Sequence, residues 1–231
     1  MIKIENLQKR YGKQIVLDVA DLTIEKGECF GLVGNNGAGK TTMFRLILDL
    51  IAASKGEITS RDKSVKQSDH WKVYTGSYLD EGFLISFLTP WEYMKFAAGL
   101  HGLGETDITD LIQYTDGFVN EELIKEKKFI RDLSKGNKSK VGILTALMGS
   151  PEVIILDEPF AHLDPSSQIR LKNLIIRFNT EIGATFLISS HDLKHITEVC
   201  NRIVLLEDGL IIKDILTEVD TLKDLEAYFS V

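Results

Sequence analysis

Nine consecutive residues constrain this chain more than any others: Gly34-Asn35-Asn36-Gly37-Ala38-Gly39-Lys40-Thr41-Thr42. They satisfy the spacing G-x-x-x-x-G-K-[ST] of a phosphate-binding loop. The short apolar run Glu28-Cys29-Phe30-Gly31-Leu32-Val33 precedes them and reads as a buried strand, and Met43, Phe44, Leu46, Ile47, Leu48 and Leu50 follow as a largely apolar helix. Strand, glycine loop and helix are the context in which such a loop works. The glycines let the backbone curl until its N–H groups converge on phosphate oxygens. The following helix adds the positive end of its dipole. Lys40 supplies a point charge for the β- and γ-phosphates, and Thr41 a hydroxyl for Mg²⁺. The motif predicts a nucleoside triphosphate and leaves its purpose open.

The chain has 231 residues, enough for one substantial α/β domain with a smaller attached lobe. A net charge of -7 gives no basic nucleic-acid footprint over the whole chain. No apolar stretch approaches the length of a membrane span. Met1-Ile2-Lys3-Ile4-Glu5 is alternating and acidic, unlike a signal peptide. Cys29 and Cys200, the two cysteines, fall in apolar or helical stretches and predict buried thiols in a reducing compartment.

Residues 2–7 and 15–24 alternate apolar and polar and predict two strands around a turn at Tyr11-Gly12-Lys13. A strand is expected after Gly56, a polar surface loop over 59–70, and a further strand over 72–79. Thr89-Pro90-Trp91-Glu92 is a helix start with a capping box. From about 80 to 150 the pattern is mainly helical, an insertion between strands of the main domain, and its last helix opens at Leu133-Ser134. Val153-Ile154-Ile155-Leu156 and Thr185-Phe186-Leu187-Ile188-Ser189 read as strands buried on both faces. A helix is expected over 166–181 and another over 193–200. Asp208-Gly209 predicts a hairpin turn, and 217–231 a short amphipathic helix.

The strand at 153–156 ends on Asp157-Glu158. In a chain with a phosphate loop this reads as an acidic pair in which Asp157 holds Mg²⁺, directly or through water, and Glu158 polarises an attacking water.

Over essentially its full length the chain resembles the nucleotide-binding subunits of ABC transporters. Leu133-Ser134-Lys135-Gly136-Asn137 is similar to the family signature L-S-G-G-Q, its most specific motif. Asp157 to Pro165 resembles Walker B joined to the D-loop, His191 matches the switch histidine, and Tyr11 matches the aromatic that stacks on adenine. The resemblance implies the ABC-ATPase fold, an α/β mixed sheet core with an N-terminal antiparallel region and an inserted helical subdomain. It implies one ATPase domain over 1–231, using ATP and Mg²⁺. Tyr11, Asn35 to Thr42, Ser134 and Gly136 bind nucleotide in this reading. Thr41, Asp157 and Asp80 serve the metal, and Lys40, Glu158 and His191 act in hydrolysis. Two copies face head to tail, each signature covering the other's ATP, and a separate integral membrane permease carries the cargo. That puts the chain on the cytoplasmic face of the membrane, through the permease, with Phe83, Phe87 and Trp91 on the docking surface and no nucleic acid expected.

The chain departs from the family pattern at Lys135 and Asn137 of the signature, at Ala161 of the D-loop, and at the Q-loop. There the family's glutamine aligns best with Asp80, with Glu81 as its neighbour. The acidic Q-loop and the Lys135 signature look more like exporter subunits of the drug and antibiotic type. The alternative is a soluble ABC ATPase acting on ribosomes or DNA, which usually carries two cassettes or a long coiled-coil insertion. Two weaker patterns stand apart. His191 and His195 have the i, i+4 spacing of zinc-binding helices without the accompanying Glu. Asn137-Lys138-Ser139-Lys140 is only partly similar to a guanine-recognition motif.

Overall fold

The computed structural model describes residues 1–229; Ser230 and Val231, at the end of the expected C-terminal helix, lie outside the described residues. The chain order is β1 (Ile2–Tyr11), β2 (Gln14–Ile24), β3 (Cys29–Val33), α1 (Lys40–Ile47), β4 (Lys55–Ser60), β5 (Lys63–Ser64) and β6 (Thr75–Tyr78). Then come α2 (Pro90–Leu100), α3 (Glu105–Tyr114), α4 (Glu121–Lys125), α5 (Lys135–Ala146), β7 (Val153–Asp157), α6 (Pro165–Arg177), β8 (Thr185–Ser190), α7 (Leu193–Val199), β9 (Arg202–Glu207), β10 (Leu210–Leu216) and α8 (Thr221–Phe229).

Two sheets result. An antiparallel sheet has the order β2-β1-β4-β5, and a six-stranded sheet the order β10-β9-β3-β8-β7-β6. In the second sheet β9, β3, β8, β7 and β6 run parallel, and β10 closes one edge antiparallel through the Asp208-Gly209 turn. The β-branched runs explain the parallel core, because every residue of β3, β7 and β8 is buried. Alternation then splits them between two cores. Phe30, Leu32, Val153, Ile155 and Leu187 face α1 and the antiparallel sheet. Ile154, Leu156, Phe186 and Ile188 face α5, α6, α7 and the helices that intervene between β6 and β7. Parallel strands deliver their loops to one edge, so the ends of β3, β6, β7 and β8 converge there.

Some boundaries moved. The strand expected over 72–79 is only Thr75–Tyr78, because a 3₁₀ turn occupies Asp69–Tyr74. Trp71 donates to the Val65 carbonyl at 3.0 Å and the Tyr74 hydroxyl to Ser60 at 2.9 Å, so both rings are drawn inward and the chain coils. The loop expected over 59–70 is shortened at its start, where β4 runs to Ser60 and pairs with β5. The helix expected to 181 ends at Arg177 and continues as a wider π turn to Ile182. Leu50 lies beyond α1 and is exposed.

Candidate nucleotide site

The phosphate loop joins the end of β3 to α1. Gly39 takes φ 110 in the residue before the helix, a left-handed conformation that side chains resist, and so turns the loop into α1. α1 has no side-chain cap and no acidic residue in its first turn. The helices between α1 and α8 are served otherwise: Thr89, Asn120, Ser134, Asp164 and Asp192 cap α2, α4, α5, α6 and α7, and Asp107 accepts the Gly104 N–H at α3. The uncapped amides of α1 therefore suit an external anion. Lys40 is buried, donating to the carbonyls of Gly34 at 2.7 Å and Asn35 at 3.3 Å, with its ammonium 3.4 Å from Glu158 Oε1. Asn36, Gly37, Gly39, Lys40, Thr41 and Thr42 line a cavity of about 260 Å³ together with Tyr11, Val16 and Glu158. Tyr11, 55% exposed, reaches it from the β1–β2 hairpin, with the Lys9 ammonium 4.9 Å from its ring centre. An exposed ring beside a phosphate loop is free to stack on a flat ligand.

Asp157 ends β7 opposite Ser189 of β8. Its carboxylate accepts from the Ser189 hydroxyl and, at 2.5 Å, from the Thr41 hydroxyl. Burial pushes its pKa up; those two hydroxyls and Lys40 oppose the rise, and Glu158 adds to it. A buried carboxylate one hydroxyl away from the phosphate loop suits a divalent cation, whose charge would offset the desolvation of the anion. Thr41 and Asp157 thus fit the Mg²⁺ site expected of them.

Glu158 follows with φ 48, left-handed for a residue with a side chain. Its N–H is held by the Ser189 hydroxyl at 2.9 Å and the Ser189 carbonyl at 3.2 Å. Its carboxylate lies between Lys40 and His191, whose Nδ1 is 2.9 Å from Oε2. Ser189 thus braces both acids. By sequence alone Ser189 reads as a strand residue, and the serine pair that ends this apolar strand is the one signal of its role.

Asp80 does not end a strand; it caps the 3₁₀ turn Glu81–Phe83. It lines a cavity of about 200 Å³ together with Glu81, Lys135, Asp157, Glu158 and His162. Its carboxylate is engaged by the Gly82 N–H at 2.7 Å and by Arg45 of α1 at 3.5 Å. Glu81 pairs with Lys138 of α5 at 3.2 Å. The sequence alone did not reveal either basic partner.

Ser134 and Gly136 open α5 and are absent from the lining of the phosphate-loop cavity. The Ser134 hydroxyl accepts the Asn137 N–H at 3.3 Å. A Cβ on Gly136 would stand 2.6 Å from the His162 carbonyl, so the D-loop backbone packs there against bare glycine. His191 and His195 serve different partners: His191 faces Glu158, and His195 turns toward Phe160 and Asp192.

The ABC transporter family profile matches residues 17–161. The lantibiotic transport ATP-binding protein SrtF of Streptococcus pyogenes is 33% identical over 230 residues, covering 100% of this chain and 96% of SrtF. The bacitracin transport ATP-binding protein BcrA of Enterococcus faecalis is 32% identical over 219 residues, covering 93% of this chain and 69% of BcrA. A solved ATP-binding subunit of an ABC transporter superposes with a TM-score of 0.84 at 27% identity, covering 100% of this chain and 93% of that one. With phosphate loop, acidic pair and signature in family order on the family's fold, the chain belongs to the ABC transporter family as an ATP-binding, ATP-hydrolysing subunit.

Proposed function

We propose that two copies of this chain close head to tail around ATP and that its hydrolysis drives a separate membrane permease that exports its cargo. The observation that carries this reading is the separation of the two half-sites. Tyr11 and the phosphate loop share one cavity, whereas Ser134 and Gly136, the residues expected to meet a γ-phosphate, stand off it at the start of α5. A second copy brings the missing half. The uncapped start of α1 and Lys40 take the phosphates, and Tyr11 takes the base. Thr41 and Asp157 would hold Mg²⁺, which supplies charge neutralisation when bound. Asp80 would join them by exchanging Arg45 for the ion. Glu158 orients the attacking water, and His191 holds the γ-phosphate once nucleotide has parted it from Glu158.

Residues of about 80–150 serve in this reading as the inserted helical subdomain, which turns α5 toward the other copy. No helix among the described residues is long and apolar enough to cross a membrane. A separate permease supplies the path and holds the chain at the cytoplasmic face. Phe83 and Phe87, 50% and 66% exposed, support docking beside the Asp80 turn. Trp91 is half-buried against the core, and Phe129, 40% exposed, is the better candidate for a third docking aromatic. The likeness to SrtF and BcrA supports antibiotics as the cargo class and favours transport over a role on ribosomes or DNA. Light scattering on the Glu158→Gln chain tests the closure. With ATP and Mg²⁺ the mass should double from 25.9 kDa, and with ADP it should not. A monomer under both conditions would refute the sandwich.

A further inference from the structure

His195 has no role in the site described so far, yet its environment is unusual. It sits on α7, one turn beyond His191, with its side chain 13% exposed. Its ring lies 4.7 Å from that of Phe160, tilted by 36°, and Phe160 is itself buried. Its Nε2 is 3.5 Å from the Asp192 carboxylate, and its Nδ1 is buried without a hydrogen-bond partner. Burial lowers its pKa, against the pull of the Asp192 and Glu198 carboxylates, and so favours the neutral ring. A buried polar atom with no partner carries a free-energy cost that an apolar ring of the same shape would avoid. Packing alone therefore does not account for an imidazole here.

The two groups His195 touches belong to the two loops that make the hydrolytic pair. Phe160 is two residues beyond Glu158, whose left-handed backbone needs external support. Asp192 adjoins His191. Its N–H donates to the Ser190 hydroxyl at 2.9 Å, and its carboxylate caps α7 at the Lys194 N–H. α7 is also tied to α6 by the Lys172–Glu198 ion pair, which gives His195 a fixed base. One imidazole thus presses its face on the loop after β7 and turns its edge to the loop after β8. Between those loops lies the 2.9 Å contact of His191 with Glu158.

We propose that His195 is a positioning residue for ATP hydrolysis: it clamps the switch loop to the Walker B loop and so sets the distance between His191 and Glu158. The inference rests on the assignment of those two residues to hydrolysis. A misplacement of about 1 Å in such a pair can cost on the order of 100-fold in rate, so loss of the clamp shows in turnover before it shows in binding.

The test measures kcat, KM for ATP and melting temperature of the purified chain and its variants. His195→Ala should lower kcat by roughly tenfold with KM within about twofold. His195→Phe keeps the stacked face but loses the Nε2 edge toward Asp192, so it should recover only part of kcat. Phe160→Leu removes the stack from the other side and should reproduce the alanine result, and it keeps the test open if His195→Ala fails to fold. His195→Ala or Phe160→Leu with wild-type kcat would overturn the inference, as would a rise in KM matching the fall in kcat. A phenylalanine variant as slow as the alanine one, with an equal drop in melting temperature, would also overturn it. Glu158→Gln and His191→Ala serve as controls. Wild-type rates in both would overturn the hydrolytic assignment and the clamp with it, whereas loss in both beside a wild-type His195→Ala rate would overturn the clamp alone.

Discussion

Glu158→Gln should tighten ATP binding while abolishing turnover, and the structure gives the reason and the scale. Glu158 is the counter-ion of Lys40 at 3.4 Å, with Lys40 buried and Glu158 about a quarter exposed. At that distance and an effective dielectric constant of about 20 the gross attraction is about 5 kcal/mol. Desolvation of both groups offsets most of it and leaves roughly 1–2 kcal/mol. ATP must draw Lys40 from this carboxylate and accept a second negative group beside its γ-phosphate. Glutamine keeps the shape and removes both penalties. Affinity for ATP should rise by about 1–2 kcal/mol, or roughly five- to thirtyfold, with a smaller gain for ADP. Calorimetric titration of wild type and variant with each nucleotide, without Mg²⁺, reads this directly. Unchanged or weaker ATP binding in the variant would refute the view that Lys40 and Glu158 restrain each other at rest.

Two further outcomes follow from the same geometry. Tyr11→Ala should weaken ATP binding by about 1–2 kcal/mol and Tyr11→Trp should be tolerated, as a stacking platform requires; equal titrations for wild type and alanine would leave the ring without a nucleotide role. Asp80→Ala should raise the Mg²⁺ concentration for half-maximal hydrolysis while costing no more than about 1 kcal/mol of stability, since its ion pair with Arg45 is exposed. Coincident Mg²⁺ curves would confine Asp80 to its contact with Arg45.

What the sequence disclosed and what it concealed divide along physical lines. The parallel core was legible because β3, β7 and β8 are buried on both faces, which forces continuous apolar runs. The start of α2 was legible because capping is local: Thr89 accepts the Glu92 N–H while Glu92 accepts the Thr89 N–H. The turn at Asp69–Tyr74 was not, because Trp71 and Tyr74 answer to Val65 and Ser60 rather than to strand alternation. The widened turn after Arg177 has a similar cause, since the Asn179 amide reaches the carbonyls of Gly27 and Ala184. Within the site, Lys40, Thr41, Asp157 and Glu158 converge as their motifs imply. The supports of the acidic residues come from other segments: Ser189 under Asp157 and Glu158, marked only by the serine pair that ends its strand, and Arg45 on Asp80 and Lys138 on Glu81, marked by no motif.

The central claim is that each hydrolytic site is built from two chains, and complementation tests it most directly. Lys40→Ala removes the phosphate-loop charge from one chain, and Ser134→Asp puts negative charge into the signature of another while keeping an acceptor for the Asn137 N–H. Each variant alone should lack ATPase activity, because both sites of its dimer are damaged. Mixed in equal amounts, the two should recover activity. The mixed dimer keeps one site in which an intact phosphate loop faces an intact signature. Activity that stays at the level of the separate variants, although light scattering shows the mixed dimer forming, would contradict the account.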